Sequence, residues 1–171
     1  MKGKRTDLST APCGIARSLQ VVGDWWSLLI VRDAFHGRER FSEFQKSLGL
    51  AKNILSARLK KLVEAQIFSI EADASSALSH RYVLTPKGES LFPILVALWQ
   101  WGEENCFERD ELELVMVDKA KGKPLIKMRP TSQEGRTVGP RDIRFLPRAA
   151  TARSHATTES SSRRKSGATR S

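Results

Sequence analysis

The chain has 171 residues, of which 40% are apolar and 28% are charged. Its 29 basic and 19 acidic residues give a formal net charge of +10, which favours a polyanionic partner, above all nucleic acid. Two cysteines are too few for a disulfide scaffold and suit the reducing cytoplasm. The longest apolar stretches are too short to cross a bilayer, and the N-terminus has no apolar segment typical of a secretory signal. We therefore expect a cytoplasmic protein with one folded domain and a tail.

The positive charge is unevenly distributed. Residues 1–110 carry 15 basic and 13 acidic residues, whereas residues 111–171 carry 14 and 6. Within the nearly neutral front part, residues 51–62 nevertheless contain four basic residues and no acidic one. This segment predicts a local basic patch.

The first two helices are predicted by apolar spacing and by the residues that flank them. Residues 13–22 have helical spacing and stop at Gly23. Asp24 is suited to cap a second helix, residues 25–35, which Gly37 closes. This second helix is apolar on almost its whole circumference, so we expect it to be buried at the centre of the core.

A short third helix begins at Phe41, with Ser42 as the expected N-cap and Gly49 as its end. Residues 51–65 form the next predicted helix, which has an apolar face and a polar one. The apolar face consists of Leu55, Leu59 and Leu62. The opposite face consists of Asn53, Ala57 and Lys60, flanked by Ser56 and Lys61.

A strand pattern follows over residues 67–71 and returns over residues 80–84, which predicts a hairpin around a loop at residues 73–79. Thr85 is the expected N-cap and Pro86 the first residue of a long helix that runs to about Phe107. One stripe of this helix carries Leu91, Leu95, Leu98, Trp99 and Gly102. The stripe suits either core packing or a dimer surface.

The C-terminal part is predicted to be less regular. Strand signals at residues 112–117, 125–128 and 143–146 predict a small β appendage. In residues 149–171, 16 of 23 residues are Ala, Ser, Thr or Gly, which predicts a disordered basic tail. The expected organisation is a flexible N-terminus (1–10), a folded domain (11–108), an extension (109–148) and the tail.

The order of elements predicts a mainly α fold with a small β-hairpin wing, the winged helix-turn-helix. A leucine face fixes residues 51–65 on the core, and short polar and cationic side chains on the other face suit the major groove. Asn53 can pair with adenine, Lys60 can donate to guanine, and Ala57 can contact a thymine methyl group.

Five motifs in this order resemble the HxlR-type family of winged helix-turn-helix transcriptional regulators. They are CGIARSLQVVGDWWSLLIVRD (13–33), RFSEFQ (40–45), LSARLKKL (55–62), RYVLTPKG (81–88) and WG (101–102). The resemblance covers about residues 11–108. It implies a bacterial DNA-binding homodimer, with a recognition helix at 51–65, a wing at 70–83 and a dimer interface formed by the helices at 13–22 and 89–107.

The sequence departs from this family at two places. The wing segment 72–80 lacks the Pro, Arg and charged residues typical of family wings, so only His80 and Arg81 remain for groove contact. Gln66 stands where the family often has a glycine that ends the recognition helix.

Together these features predict the site residues. The expected DNA contacts are Arg38, Arg40, Ser42, Lys52, Asn53, Ser56, Ala57, Arg58, Lys60, Lys61, His80 and Arg81. Lys52, Arg38, Arg40 and Arg58 are expected on phosphates, and Asn53, Ser56, Ala57 and Lys60 on bases. The expected dimer contacts are Ile15, Leu19, Leu91, Leu95, Leu98, Trp99 and Gly102.

Cys13 has two interpretations. It is either a small buried apolar residue or a thiol at a helix N-terminus that senses oxidants or electrophiles. Cys106 is expected to serve packing. The histidines are scattered, and no catalytic motif, cofactor site or metal site is predicted, so we do not expect an enzyme.

Three functions remain open from the sequence. The first is a homodimeric regulator that binds double-stranded DNA at a palindromic operator. The second is a winged-helix module that binds a protein partner without sequence-specific DNA binding. The third is a sensor with a pocket for a small-molecule inducer between the dimer helix and the domain. A membrane partner is not expected.

Overall fold

The computed structural model describes residues 7–73, 76–108 and 111–147. The chain divides into two compact units, the first ending at Ile126 and the second beginning at Lys127. The predicted disordered tail (149–171) lies outside the described residues, as do residues 1–6 of the predicted flexible N-terminus. Residues 8–11 contact α1, since Leu8 N donates to Gln20 and Arg17 donates to the Ala11 carbonyl.

The first unit contains six helices and one hairpin among its described residues. In chain order they are α1 (Gly14–Val22), α2 (Trp25–Phe35), α3 (Phe41–Leu48), α4 (Lys52–Glu64), β1 (Phe68–Asp73), β2 (Ser76–Leu84), α5 (Pro86–Glu89) and α6 (Phe92–Asn105). This order confirms the predicted mainly α fold with a β-hairpin wing. It also confirms α1, α2 and α4 to within one residue at each end.

Two carboxylates fix the starts of helices. Asp24 caps α2 as predicted, because its carboxylate accepts hydrogen bonds from Ser27 N at 3.0 Å and Ser27 Oγ at 2.8 Å. The prediction of Ser42 as the cap of α3 is wrong, since Arg40 is the N-cap residue. Glu43 reaches back from the first turn, and its Oε2 accepts from Glu39 N and Arg40 N, each at 2.9 Å. The cap of the helix thus lies earlier than predicted, and the Glu43 carboxylate satisfies the amides that precede the first turn.

Helix α4 ends in a Schellman motif. Ile67 N donates to the Leu62 carbonyl at 2.8 Å, and Gln66 N donates to the Val63 carbonyl at 2.9 Å. Gln66 adopts the left-handed conformation (φ 59°) that this motif requires and that glycine adopts most easily. Thr85 Oγ1 donates to the Gln66 carbonyl at 2.6 Å and so ties the end of β2 to the same corner.

The core forms where α2, α3, α4 and the hairpin meet. Leu55, Leu59 and Leu62 are completely buried, which confirms the predicted leucine face of α4. Phe44 is also completely buried, and its ring makes edge contacts with those of Phe68 and Tyr82. A single apolar face from each helix therefore builds the domain.

Helix α2 is less deeply buried than predicted. It buries Ser27, Ile30, Val31 and Asp33, but Trp25 is 77% exposed. Within the described chain, other elements cover only one side of α2. Apolar residues on its other sides therefore stay partly or largely exposed.

The hairpin is antiparallel, with Phe68 opposite Leu84 and Ile70 opposite Tyr82. A bulge lies between Ala72 and Asp73. The predicted loop at residues 73–79 is wrong, because β2 begins at Ser76. Small polar residues are weak strand formers, so the composition of this segment predicted a shorter strand. Their backbone groups nevertheless form the hydrogen bonds of a β-ladder.

The predicted single helix from Pro86 to about Phe107 is also wrong. One helical turn, α5, is separated from α6 by Ser90 and Leu91. Pro93 explains the break, because it has no amide hydrogen and its ring would collide with the carbonyl of Glu89 in a continuous helix. The break lets Leu91 enter the core, where it is 9% exposed.

The predicted strands of the C-terminal extension are absent from the described residues. The first unit has an isolated bridge between Val117 and Pro124, and the second unit has one between Thr131 and Thr137. Strand-like apolar residues there remain open to solvent, since Ile126 is 90% and Phe145 is 95% exposed. Alternating apolar residues form a strand only when a neighbouring strand and a core accept them.

Candidate nucleic-acid interface

Helices α3 and α4 form the helix-turn-helix. The turn passes through Gly49, whose φ of 65° is left-handed and therefore suits glycine. Gln45 Nε2 donates to the Leu50 carbonyl at 3.4 Å and steadies the turn. Helix α4 then begins at Lys52, with its leucines directed into the core.

The face of α4 opposite the leucines is open to solvent. We give the name reading face to five exposed residues: Asn53, Ser56, Ala57 and Lys60 on this side of the helix, and Lys52 at its start. The Lys60 side chain is 79% exposed, and its ion pair with Glu64 is long, at 3.9 Å. These residues offer amide, hydroxyl, methyl and ammonium groups on one helical surface. Their exposure agrees with the predicted pattern, while their contact with DNA stays a prediction.

Arg58 and Lys61 lie on the flank of α4 rather than on the reading face. Arg58 Nη1 lies 3.4 Å and Lys61 Nζ lies 3.7 Å from Asp24 Oδ2. The three side chains are 28%, 29% and 11% exposed, in the order Arg58, Lys61 and Asp24. Asp24 thus caps α2 and holds α4 by the same carboxylate. The sequence predicted the cap but not the ion pairs, although the two cations are three residues apart at the border of the leucine face.

Arg81 joins the wing to the connection between α2 and α3. Its Nη1 donates to Glu39 Oε2 at 2.8 Å, and its Nη2 donates to Glu71 Oε2 at 3.2 Å. Tyr82 N also donates to the Glu39 carbonyl at 2.8 Å. Two carboxylates therefore pair with Arg81, which was predicted to contact DNA, whereas His80 is exposed.

The α2–α3 connection carries the remaining predicted phosphate contacts. Arg38 Nη1 lies 3.7 Å from the buried Asp33 carboxylate, and Arg40 Nη1 lies 3.5 Å from Glu43 Oε1. The backbone amides of Arg40 and Glu39 donate to Glu43 and lower the pKa of its carboxyl group, and the nearby Arg40 charge adds to this effect. Ser42 is exposed beside them.

The predicted dimer residues fall into three groups. Ile15 and Leu19 of α1 are 71% and 52% exposed. Leu95, Leu98, Trp99 and Gly102 of α6 are partly or largely exposed, whereas Leu91 is buried in the protomer's own core and has little surface left for a partner. Two further apolar residues of α6, Ile94 and Trp101, were not predicted as dimer contacts and are 45% and 60% exposed. They lie seven residues apart, which places them on one side of α6.

Cys13 precedes the first turn of α1 and is exposed, so it is not the buried packing residue that one interpretation required. Cys106, expected in packing, is exposed as well. Within residues 7–73, 76–108 and 111–147, no helix is long and apolar enough to cross a bilayer.

Known proteins resemble this chain over its helix-turn-helix region. A family model described as HxlR-like helix-turn-helix matches residues 21–110. A protein of Mycobacterium tuberculosis, named the uncharacterized HTH-type transcriptional regulator Rv3095, is 42% identical over 90 residues. That match covers 53% of this chain and 57% of the relative, so the chain spans little more than half of the relative's length.

Solved structures extend the similarity beyond this region. The crystal structure of PA1607, described as a candidate transcription factor, is 47% identical, with a TM-score of 0.78 over 82% of this chain and 99% of its own. PA1374 of Pseudomonas aeruginosa, described in the same terms, is 37% identical, with a TM-score of 0.57 over 79% of this chain and 92% of its own. The comparisons point to regulators rather than enzymes. With its turn at Gly49, its solvent-facing recognition helix and its hairpin wing, the chain belongs to the HxlR-like helix-turn-helix family of DNA-binding transcriptional regulators.

Proposed function

We propose that the protein is a sequence-specific transcriptional regulator that binds a palindromic operator as a homodimer. The observation that carries this proposal is the reading face, which is exposed along α4 directly opposite its buried leucines. A helix fixed in this way can enter the major groove without disturbing the core.

The proposed contacts divide into positioning and base recognition. Lys52, at the start of α4, would bind a phosphate together with the free amides of that helix end. Asn53, Ser56, Ala57 and Lys60 would face base edges, where an amide suits adenine and an ammonium group suits guanine. We propose contacts with neighbouring phosphates or grooves for Arg38, Arg40, Ser42 and His80.

Arg58, Lys61 and Arg81 have a second role in this proposal. Each forms an ion pair within the protomer, so contact with DNA would have to displace or share a carboxylate. We propose that these three residues mainly orient α4 and the wing.

The proposed dimer uses α1 and α6. Ile15, Leu19, Ile94 and Trp101 present apolar surface that no described part of the protomer covers. Burial of such surface against a second copy would remove it from water and place two recognition helices on one duplex. Two half-sites about 34 Å apart would then match successive major grooves.

A redox response through Cys13 stays part of the proposal. The thiol is accessible, and diamide would accept two electrons and two protons from the Cys13 thiols of two copies, joining them in a disulfide beside the proposed dimer surface. We expect diamide to lower the DNA affinity of the wild type and to leave the DNA affinity of Cys13→Ser unchanged. Cys106→Ser is the matched control, and equal diamide sensitivity of the wild type and Cys13→Ser would remove the sensor from the proposal.

The proposed function is tested by titrating genomic fragments with the purified protein and following fluorescence anisotropy at two salt concentrations. We expect a small set of fragments to bind at least about a thousandfold more tightly than random duplex. Equal affinity for all fragments would contradict sequence-specific binding. No binding at either salt concentration would favour the alternative of a protein-interaction module. A cytoplasmic location is a prediction that accompanies this proposal.

A further inference from the structure

The first unit contains an apolar groove of about 600 Å³ away from the reading face. Its walls come from α2, from α6 and from residues 114–116 of the extension. Trp25 and Trp99 contribute indole rings from two of these walls, and Leu98 lies in the α6 wall. This volume falls within the range of small-molecule sites, about 300–1,000 Å³.

Arg32 offers the groove a hydrogen-bond donor without a protein acceptor. It uses Nε and Nη2 on the Asp33 carboxylate, which leaves its Nη1 without a partner among the described residues. The Arg32 side chain is 41% exposed, so this amino group is open to water. An anionic group of a ligand would replace that water with a charge-assisted hydrogen bond.

The charged residues that line the groove are basic. None of the described lining residues is acidic, while Arg32 brings a guanidinium group whose side chain is 41% exposed. Asp33 pairs with Arg32 at 2.8 Å and lies 3.7 Å from Arg38, so two guanidinium groups share one carboxylate and leave a positive edge beside the apolar walls. This chemistry complements an anion with an aromatic or aliphatic body.

From this geometry we propose that the groove binds an amphipathic organic anion, such as an aromatic carboxylate or sulfonate. The apolar body would lie between the walls that carry Trp25 and Trp99, and the anionic group would accept hydrogen bonds from Arg32. The proposal rests on the proposed function only for its regulatory meaning, since binding itself is measured without DNA.

The probe is 1-anilinonaphthalene-8-sulfonate, compared with N-phenyl-1-naphthylamine, which has the same rings and no charge. With the full chain, we expect saturable fluorescence of the sulfonate at one probe per protomer, accompanied by quenching of tryptophan emission. Arg32→Gln should weaken the sulfonate about fivefold and leave the neutral probe unchanged. Asp33 keeps Arg38 as a cationic neighbour in this variant.

Two further variants complete the test. Leu98→Trp fills the groove from a half-exposed position and should weaken both probes at least about tenfold. Lys46→Gln removes an exposed cation from α3, which contributes nothing to the groove, and should change neither probe.

The proposal is overturned if Arg32→Gln weakens both probes equally or neither. It is also overturned if sedimentation shows that the probe is lost in proportion to dimer formation, because a second copy would then fill the groove. Failure of the probe with intact binding to selected duplexes would reject this site alone. Probe binding without duplex selectivity would reject the proposed function and keep the site.

Discussion

Lys52 and Arg58 offer a matched comparison, because both are cations of α4 but only Lys52 lies on the reading face. Arg58 is 28% exposed and lies 3.4 Å from Asp24, whereas Lys52 is exposed at the start of the helix. We expect Lys52→Gln to remove one phosphate contact per protomer, and Arg58→Gln to remove an internal ion pair. The first change should appear in the salt dependence of DNA binding, and the second in stability.

The magnitudes follow from counterion release and from burial. Each phosphate contact contributes about 0.9 to the magnitude of the slope of log K against log salt. A Lys52→Gln dimer lacks two contacts, so the magnitude of its slope should be smaller by about 1.8. Between 50 and 200 mM salt, the wild type should then lose about twelvefold more affinity than the variant. Arg58→Gln should change the slope little but lower the free energy of unfolding by about 1–2 kcal/mol, between the values for exposed and buried pairs.

The assay is fluorescence anisotropy with one selected duplex and one random duplex over this salt range, together with urea unfolding of each variant. Lys52→Gln should weaken both duplexes alike, since phosphates carry no sequence information. Lys119→Gln, in the extension, is the control for loss of one positive charge. If Arg58→Gln reduced the slope as much as Lys52→Gln and left stability unchanged, the assignment of Arg58 to Asp24 would be refuted.

Three further predictions concern specificity, assembly and pH. Asn53→Ala should relax the preference at one base pair by about 1–3 kcal/mol, as measured with a set of single-substitution duplexes. Equal losses on selected and random DNA would argue against base recognition. Leu19→Glu should weaken the dimer at least about a hundredfold, because the dimer loses the burial of two Leu side chains, which stabilises it by about 1.5–3 kcal/mol each. Sedimentation equilibrium measures this, with Leu19→Met as the control, and an unchanged dimer would exclude α1 from the interface. Because the folded-state pKa of Glu43 is lowered, its contribution to stability is present above its ordinary pKa and is lost as the pH falls through the folded value. Glu43→Gln should therefore cost about 0.5 kcal/mol at pH 7, and this cost should shrink as the pH falls through the folded pKa of Glu43, measured by urea unfolding; a cost that does not change with pH would contradict the capping role.

Much of the fold was predictable because its signals are local. Gly23 and Asp24 lie next to each other and mark the end of one helix and the start of the next. The leucine spacing of α4 fixed both its buried face and its reading face. Such signals depend on a few neighbouring residues, so they survive folding unchanged.

The sequence-based predictions of secondary structure and of ion pairs were wrong or incomplete where a distant residue or a single backbone constraint determines the local structure. Pro93 divided the predicted long helix, and the backbone of β1 extended β2 into small polar residues. The partners of Arg58 and Arg81 could not be predicted, because Asp24 and Glu39 are far from them in the chain. Spacing identifies a free helical face, but it does not identify which cations a remote carboxylate will bind.

The corner at Gln66 has a consequence for how the protein would meet a duplex. The amides of Gln66 and Ile67 donate to the last carbonyls of α4, and Thr85 Oγ1 donates to the Gln66 carbonyl. Because the Thr85 bond ties the end of α4 to the end of the wing, we expect the two elements to approach the DNA together. Any adjustment to an imperfect site would have to come from rotation of the entire domain or from deformation of the double helix, so stiffness of the target sequence would itself contribute to selection.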